Sequence, residues 1–116
     1  MAERRTYPRY SVRFPVHLDG GQLGTAVGVS KDASADGIRL QANADLRLGA
    51  PVRLRFRVAP HEAMQDVDGT VVRVEPSRER RGEWPYQLAV QFDDLEKNLE
   101  QRLQIELAQR RPTARA

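Results

Sequence analysis

The sequence contains no cysteine, which excludes disulfide bonds, thiolate nucleophiles and thiolate metal ligands. That composition fits a reducing compartment, and we expect a cytoplasmic protein. Apolar runs are also short. None approaches the roughly 18 residues that a membrane-spanning helix needs, so we expect no membrane insertion. The N-terminus is rich in arginine and lacks the apolar stretch of a secretory signal peptide.

Histidine is scarce, and the remaining titratable residues do not favour catalysis. His17 and His61 are the only histidines, and the chain has no Gly-x-Ser-x-Gly motif. Carboxylates form two close pairs with structural explanations, one in a predicted turn and one at a predicted helix start. They are Asp66 with Asp68 and Asp93 with Asp94. We therefore expect neither an enzyme, nor a metal site, nor a cofactor.

Positive charge is concentrated at one end of the chain. The 116 residues are enough for one domain, and they carry 19 Lys and Arg against 16 Asp and Glu, a net charge of +3. Residues 1–14 hold four arginines against Glu3, and the remainder balances at fifteen of each sign. The excess is a local basic arm, whereas bulk nucleic-acid binding would favour a uniformly basic surface.

Apolar residues alternate with polar ones over most of the chain, which predicts six short β-strands. The strands are marked by Val12 to Leu18, Leu23 to Val29, Ile38 to Leu40, Val52 to Val58, Val71 to Val74 and Tyr86 to Phe92. Gly20 and Gly21 predict a tight hairpin turn between the first two strands.

From Asp93 the period changes to four, with Leu95, Leu99, Leu103 and Leu107 on one side of a predicted helix that Pro112 ends. We therefore predict a mainly β fold, a six-stranded antiparallel β-barrel with a C-terminal α-helix over its open end or flank. The predicted parts are a flexible basic arm at 1–11, the barrel at 12–92, the helix at 93–110 and a disordered tail at 111–116.

An arginine stripe on the fourth predicted strand offers one binding surface. Arg53, Arg55 and Arg57 share its polar face and could follow a phosphate backbone, as in an oligonucleotide-binding barrel. The alternative interpretation of the stripe is a solvated outer face whose arginines pair with carboxylates on neighbouring strands. The second interpretation is favoured, because that face has no aromatic residue on which bases could stack.

Two short segments offer a different surface, RRTYPR at 4–9 and DASADG at 32–37. An arginine cluster on a mobile arm, facing a turn of small polar residues, can close on a compact anionic ligand. Each segment alone has an ordinary explanation, a solvated tail for the first and a hydrogen-bonded turn for the second. Together on one small barrel they favour a binding module.

These segments resemble the two signatures of PilZ domains, RxxxR and (D/N)xSxxG, in the right order and at the right separation. The resemblance continues through GIRL at 37–40, GTVVR at 69–73 and YQLAVQF at 86–92, so it covers nearly the whole chain. Ala89 departs from it, because many relatives have glycine there. The resemblance implies a split barrel and a receptor for the bacterial second messenger cyclic di-GMP.

The resemblance assigns the arginines to the ligand. Arg5 and Arg9 are the expected clamps, since a guanidinium group can pair with guanine, hold a phosphate or stack on a purine. Arg4 directly precedes the signature, a pattern that resembles the one associated with an intercalated dimer of the ligand. We therefore expect two ligand molecules to bind as a stacked pair.

The turn would supply the other half of the implied site. Asp32 can accept hydrogen bonds from guanine N1 and N2, and Ser34 can bond a phosphate or a base edge. Gly37 would let the ligand approach the backbone, because it has no Cβ.

Ligand that contacts both halves would order the arm and create a surface for an unidentified downstream protein. The family is linked to motility, exopolysaccharide production and biofilm control. We expect a monomer or weak dimer and no nucleic-acid partner. The alternatives are a ligand-free adaptor of the same fold and, less favoured, an oligonucleotide-binding barrel.

Overall fold

Six antiparallel strands and one α-helix make up the fold, which a computed structural model describes over residues 7–77 and 84–110. The elements are β1 Pro15–Asp19, β2 Thr25–Ala33, β3 Gly37–Ala42, β4 Pro51–Phe56, β5 Gln65–Pro76, β6 Tyr86–Phe92 and α1 Lys97–Arg110. The strands close into a barrel in the order β1-β2-β3-β6-β5-β4. The predicted barrel with a C-terminal helix is therefore confirmed.

The alternation seen in the sequence places one face of each strand in the barrel interior. In β4, for example, Leu54 and Phe56 are completely buried while Arg53 and Arg55 are exposed. Val12 and Phe14 are also buried, although they precede β1, and the Phe14 ring stacks on Phe56 with 5.3 Å between centroids. The apolar core thus begins before the first strand does.

The turn between β1 and β2 uses glycine for its backbone conformation. A short 3-10 turn spans Gly21–Leu23, and Gly21 and Gly24 have φ angles of +64° and +107°. Glycine adopts this region without the steric cost that a Cβ would add. The predicted hairpin at Gly20 and Gly21 is present, and its turn extends to Gly24.

The second half of the barrel differs from the sequence-based prediction at β5. Asp66 and Asp68 were predicted in a turn, but they lie in this strand, which is 12 residues long. They stand opposite Arg55 and Arg53 of β4. Composition indicated a turn here, whereas pairing with these arginines makes carboxylates suitable for the outer face of a strand.

The helix begins at Lys97, four residues after the predicted start at Asp93. Barrel carbonyls hold the preceding residues, because the Asp93 amide donates to Asp68 at 2.9 Å and the Glu96 amide donates to Ala35 at 2.8 Å. These bonds fix the approach to α1 outside helical geometry. Leu95 consequently lies before the helix and is 42% exposed.

Helix α1 packs on the barrel through Leu99 and Leu103, which are buried in the common core. Arg110 at its end donates to the backbone carbonyls of Arg13 and Val58. The helix therefore covers the end of the barrel where the chain enters β1. Within the described ranges, no helix is long and apolar enough to cross a membrane.

The predicted flexible arm at 1–11 is tied to the barrel at its C-terminal end. Tyr10 and Ala33 exchange two backbone hydrogen bonds, of 2.8 and 3.0 Å, as an isolated bridge to β2. Residues 1–6 and the predicted tail at 111–116 lie outside the described residues.

Candidate functional site

The turn between β2 and β3 is held by its own polar groups. The Ser34 amide donates to the carbonyl of Gly37 at 2.9 Å, and the Asp36 amide donates to the Ser34 hydroxyl oxygen at 3.3 Å. The Ser34 hydroxyl in turn bonds the Asp36 carboxylate. Because Ser34 is completely buried, its hydroxyl serves the turn in this structure.

Glycine at position 37 is explained by close packing between strands. A Cβ there would lie 2.7 Å from the carbonyl oxygen of Val90 on β6, which is too close for these two atoms. One of the two strands would have to shift to relieve the contact. Gly37 does not have a positive φ angle. The requirement for glycine therefore comes from the pairing of β3 with β6, and a role in ligand approach stays a prediction.

Asp32 is the centre of an ionic cluster that joins the arm to the barrel. Its carboxylate accepts from Nε of Arg39 at 2.9 and 3.1 Å, and a terminal nitrogen of Arg39 makes a further contact. Nη1 of Arg9 donates to the same carboxylate at 3.1 Å. One buried carboxylate thus holds two guanidinium groups beside each other.

Burial and charge act on the pKa of Asp32 in opposite directions. Burial alone would raise the pKa of this carboxyl, but the hydrogen bond and charge of Arg39, followed by those of Arg9, bring the pKa below its usual value. The hydrogen bond that Arg39 donates to Asp32 raises the pKa of Arg39. Asp32 and Arg39 are therefore both charged at neutral pH.

A cleft of about 240 Å³ opens beside this cluster, between β3 and β6. Arg9 and Arg39 line it, together with Asp36 and Gly37 of the turn. A second cavity of about 480 Å³ shares Arg39 and is lined by the further cations Arg13, Lys31 and Arg73 and by one carboxylate, Glu75. This side of the barrel therefore combines open space with positive charge, which suits an anionic ligand.

Two arginines of the stripe on β4 are neutralised, and Arg57 lies directly after the strand, where it donates to the backbone carbonyl of Glu62 at 3.5 Å. Nε of Arg53 donates to Asp68 at 3.0 Å, and Nε of Arg55 donates to Asp66 at 2.9 Å. A cavity of about 720 Å³ lies beside these pairs, but its two arginines already have carboxylate partners. The structure thus supports the solvated, paired face that we favoured over a phosphate-binding stripe.

The histidines lie away from the ionic cluster. His17 is on the outer face of β1 and His61 is in the loop that follows β4, and both are exposed. Among residues 7–77 and 84–110, no group of three or more His, Cys, Asp or Glu side chains could hold a metal ion.

The predicted site residues fall into three groups. Arg9 and Asp32 are brought together, although 23 positions separate them in the chain. Ser34 and Gly37 form the adjoining turn. Arg4 and Arg5 lie outside the described residues, so their predicted roles remain predictions.

Arg39 was not among the predicted site residues. The alternation of Ile38 and Leu40 places it on the outer face of β3, and its direct neighbour on β2 is Asp32. Counting outward from the turn would therefore have identified Arg39 as the partner of Asp32.

Tyr10 was also not predicted. Its hydroxyl donates to Glu100 at 3.2 Å and accepts from Gln104 at 2.8 Å, so it connects the arm with α1. A contact across about 90 residues gives no local signal in the sequence, and its prediction would have required the docking of the helix.

Comparison with known proteins supports one family. A family model described as the PilZ domain matches residues 3–109. A search of curated proteins finds no significant match.

Solved structures with the same fold include the Bacillus subtilis inhibitor of motility, MotI/DgrA, with a TM-score of 0.70 and 18% identity over 95% of this chain. The PilZ domain of YcgR from Escherichia coli, with c-di-GMP, has a TM-score of 0.68 and 16% sequence identity. The match covers 92% of this chain and 91% of the YcgR domain. A complex of K. pneumonia MrkH with c-di-GMP has a TM-score of 0.67 and 21% sequence identity over 92% of this chain. The chain spans only 54% of the MotI/DgrA chain and 52% of the MrkH chain.

Proposed function

Since this chain belongs to the PilZ domain family, we propose that it is a receptor for cyclic di-GMP. The observation that carries the proposal is the meeting of the two signature segments, in which Arg9 of the arm contacts Asp32 beside an open cleft. Two of the structures with the same fold hold c-di-GMP. The ligand has two phosphates and two guanines, which are groups that arginine binds well.

Arg9 provides the first protein contact of the proposed site. Its Nε is buried and has no hydrogen-bond partner among the described residues, while its Nη1 is held by Asp32. A phosphate or a guanine edge placed in the cleft would satisfy this donor. Arg5 would close on the ligand from the other end of the same signature, and Arg4 would favour a second, stacked ligand molecule.

Asp32 has a positioning role in this proposal. Its carboxylate already accepts from Arg39 and Arg9, so it presents both guanidinium groups to the cleft and prevents them from turning into water. A preoriented pair of arginines loses less side-chain entropy on binding than two free ones. Acceptance from guanine, as predicted from the sequence, would require one arginine to move.

Signalling would follow from the connection between the arm and the helix. Arg9 is next to Tyr10, whose hydroxyl contacts Glu100 and Gln104 of α1. Ligand held by both Arg5 and Arg9 would pull on the arm beside Tyr10, shift this contact and change the surface formed by the arm and α1. A downstream protein that reads this surface would then control motility, exopolysaccharide production or biofilm formation.

Calorimetry with cyclic di-GMP tests the proposal. We expect the wild type to bind and Arg9→Ala to bind about tenfold to hundredfold more weakly, because one charge-assisted contact is lost. Arg55→Ala is the matched control, since it removes an arginine that is paired on the far surface. No binding by the wild type would reject the receptor and leave the ligand-free adaptor.

Two further variants separate the details of the site. Arg5→Ala should weaken binding as Arg9→Ala does, and Arg4→Ala should lower the ligand-to-protein ratio from two toward one. Equal ratios in the wild type and Arg4→Ala would refute the stacked pair alone. The oligonucleotide-binding barrel would be supported instead if the wild type bound single-stranded DNA with an affinity that falls steeply with salt, and if Arg53→Ala lost that binding.

A further inference from the structure

The charged side chains of helix α1 are engaged within the protein itself. After Lys97 the helix has four of them, and each is hydrogen-bonded to the barrel, to the arm or to another residue of the helix. These four residues are Glu100, Arg102, Glu106 and Arg110. The charges that usually solvate a surface helix therefore hold α1 in place.

The exposed residues of α1 between Lys97 and Arg110 are all uncharged. They are Asn98, Gln101, Gln104, Ile105, Ala108 and Gln109. In a chain with 30% charged residues, the solvent side of a helix should carry charges. Ile105 is 51% exposed in the middle of this side. Depletion of charge around an exposed apolar side chain is typical of the core of a protein–protein interface.

Four of these residues have the spacing of a coiled-coil seam, with steps of three, four and three positions. They are Asn98, Gln101, Ile105 and Ala108, which we call the outer seam. The steps correspond to positions a, d, a and d of a heptad. With 3.6 residues per turn, the outer seam lies on the side of α1 opposite Leu99 and Leu103, which pack on the barrel. It therefore faces away from the core of its own chain.

The residue types of the outer seam fit a second copy of the same helix. In a parallel pair each seam residue meets its own equivalent, so amides meet amides and Ile105 meets Ile105. Each amide has a donor and an acceptor, so Asn98 and Gln101 can each bond their equivalents across a two-fold axis. An isoleucine at one a position favours two strands, and an asparagine at another a position specifies the register.

An antiparallel pair in matching register would combine unlike side chains. Position a of one helix then meets position d of the other, which places Gln101 against Ile105. The amide would lose its hydrogen-bonding partner, and the apolar side chain would lose its apolar neighbour. The order of residues along the outer seam therefore favours the parallel arrangement.

We propose that the protein forms a weak parallel dimer through the outer seam of α1. The helix has 14 residues and is about 21 Å long, so the seam contains only two a and two d positions. Small interfaces belong to transient complexes, and we expect a dissociation constant on the order of 10 to 100 µM. The dimer requires no cyclic di-GMP, so its test is independent of the proposed function.

Sedimentation equilibrium of the ligand-free protein, from micromolar to millimolar concentration, tests the dimer. The average mass should rise from the 13.2 kDa of one chain toward twice that value. Ile105→Glu should weaken association at least about tenfold, because it brings two like charges together in the seam. Gln101→Leu should strengthen association by about the same factor, since leucine at a d position favours two strands.

Leu48→Glu is the matched control, because it adds the same charge at an apolar residue that is 64% exposed in the loop between β3 and β4. It should associate like the wild type. Thermal unfolding verifies that each variant is folded. A wild-type mass that stays at one chain would overturn the dimer. Wild-type association in Ile105→Glu, or no gain in Gln101→Leu, would overturn the outer seam as its interface.

A single introduced cysteine reports the orientation, because the chain has no cysteine of its own. Ala108→Cys should form an interchain disulfide under mild oxidation, since position 108 meets its equivalent in the parallel pair. The antiparallel pair would separate the two copies of this position by about 15 Å along the helices. Leu48→Cys measures disulfide formation by random collision. Equal rates in Ala108→Cys and Leu48→Cys would overturn the parallel arrangement.

Discussion

Asp32 should contribute more to stability than any comparable carboxylate on the barrel surface. It is only 5% exposed and accepts from Arg39 at 2.9 Å and from Arg9 at 3.1 Å. Asp32→Ala would leave two guanidinium groups beside each other without their counterion. Asp66→Ala is the matched control, because Asp66 also pairs with an arginine on the neighbouring strand, Arg55, but in an exposed position.

The size of the effect follows from partial burial. Removing one partner of a fully buried ion pair costs about 3 to 5 kcal/mol, and a hydrogen bond to a charged group contributes about 1.5 to 3 kcal/mol. The side chains of Arg39 and Arg9 are 35% and 30% exposed, so both can turn partly into water after the substitution. We therefore expect Asp32→Ala to lower the free energy of unfolding by about 2 to 3 kcal/mol.

Urea unfolding followed by circular dichroism measures this loss. With an m-value of about 1.5 kcal/mol/M, the midpoint of Asp32→Ala should fall by about 1.5 M. The Asp66→Ala midpoint should change far less, since exposed pairs are weak. Asp32→Asn keeps the shape and one acceptor, so its midpoint should lie between those of Asp32→Ala and the wild type. Equal losses in Asp32→Ala and Asp66→Ala would refute the anchoring role of Asp32.

Two other predictions concern the same side of the barrel. Gly37→Ala should destabilise the protein by about 1 to 3 kcal/mol, because the new Cβ would meet the backbone oxygen of Val90, and an unchanged thermal midpoint would contradict this packing. The pKa of Asp32 is lower in the folded state than in the unfolded chain, because the two arginines outweigh the effect of burial. The charged carboxylate therefore stabilises the fold fully above the unfolded pKa of about 3.9. That stabilisation is lost as the pH falls through the folded pKa. Urea midpoints between about pH 7 and pH 3 should therefore fall more steeply for the wild type than for Asp32→Asn, and parallel curves would reject this linkage.

The barrel was predictable because each strand carries its own signal. Alternation in β4 identified its inward face, since Leu54 and Phe56 could only face the core while Arg53 and Arg55 faced solvent. The start of α1 was not predictable in the same way. Leu95 continues the leucine period, but hydrogen bonds from Asp93 and Glu96 to barrel carbonyls delay the helix, and such bonds leave no periodic trace.

The site was predictable only where a motif marked it. Arg9 and Asp32 belong to signature segments, and the structure brings them within hydrogen-bond distance. Arg39 and Arg73 belong to no signature, and their relation depends on strand order, in which β6 lies between β3 and β5. A single sequence does not specify that order locally, so the cavity that Arg39 and Arg73 share appears only after the barrel has closed.

The charge of the site connects its stability with its proposed ligand. The cluster of Asp32, Arg9 and Arg39 carries one net positive charge, and the adjoining cavity adds Arg73 and Lys31 among its cations. Asp32 keeps the first two arginines together without ligand, so their mutual repulsion does not have to be overcome during binding. A ligand with two phosphates can then pair with Lys31 and with Arg73, whose ion pair with Glu75 is long at 4.0 Å, and leave the Asp32 pairs in place. Binding should therefore weaken with salt through Arg73 and Lys31, while the anchored cluster, which is partly buried, should remain less sensitive.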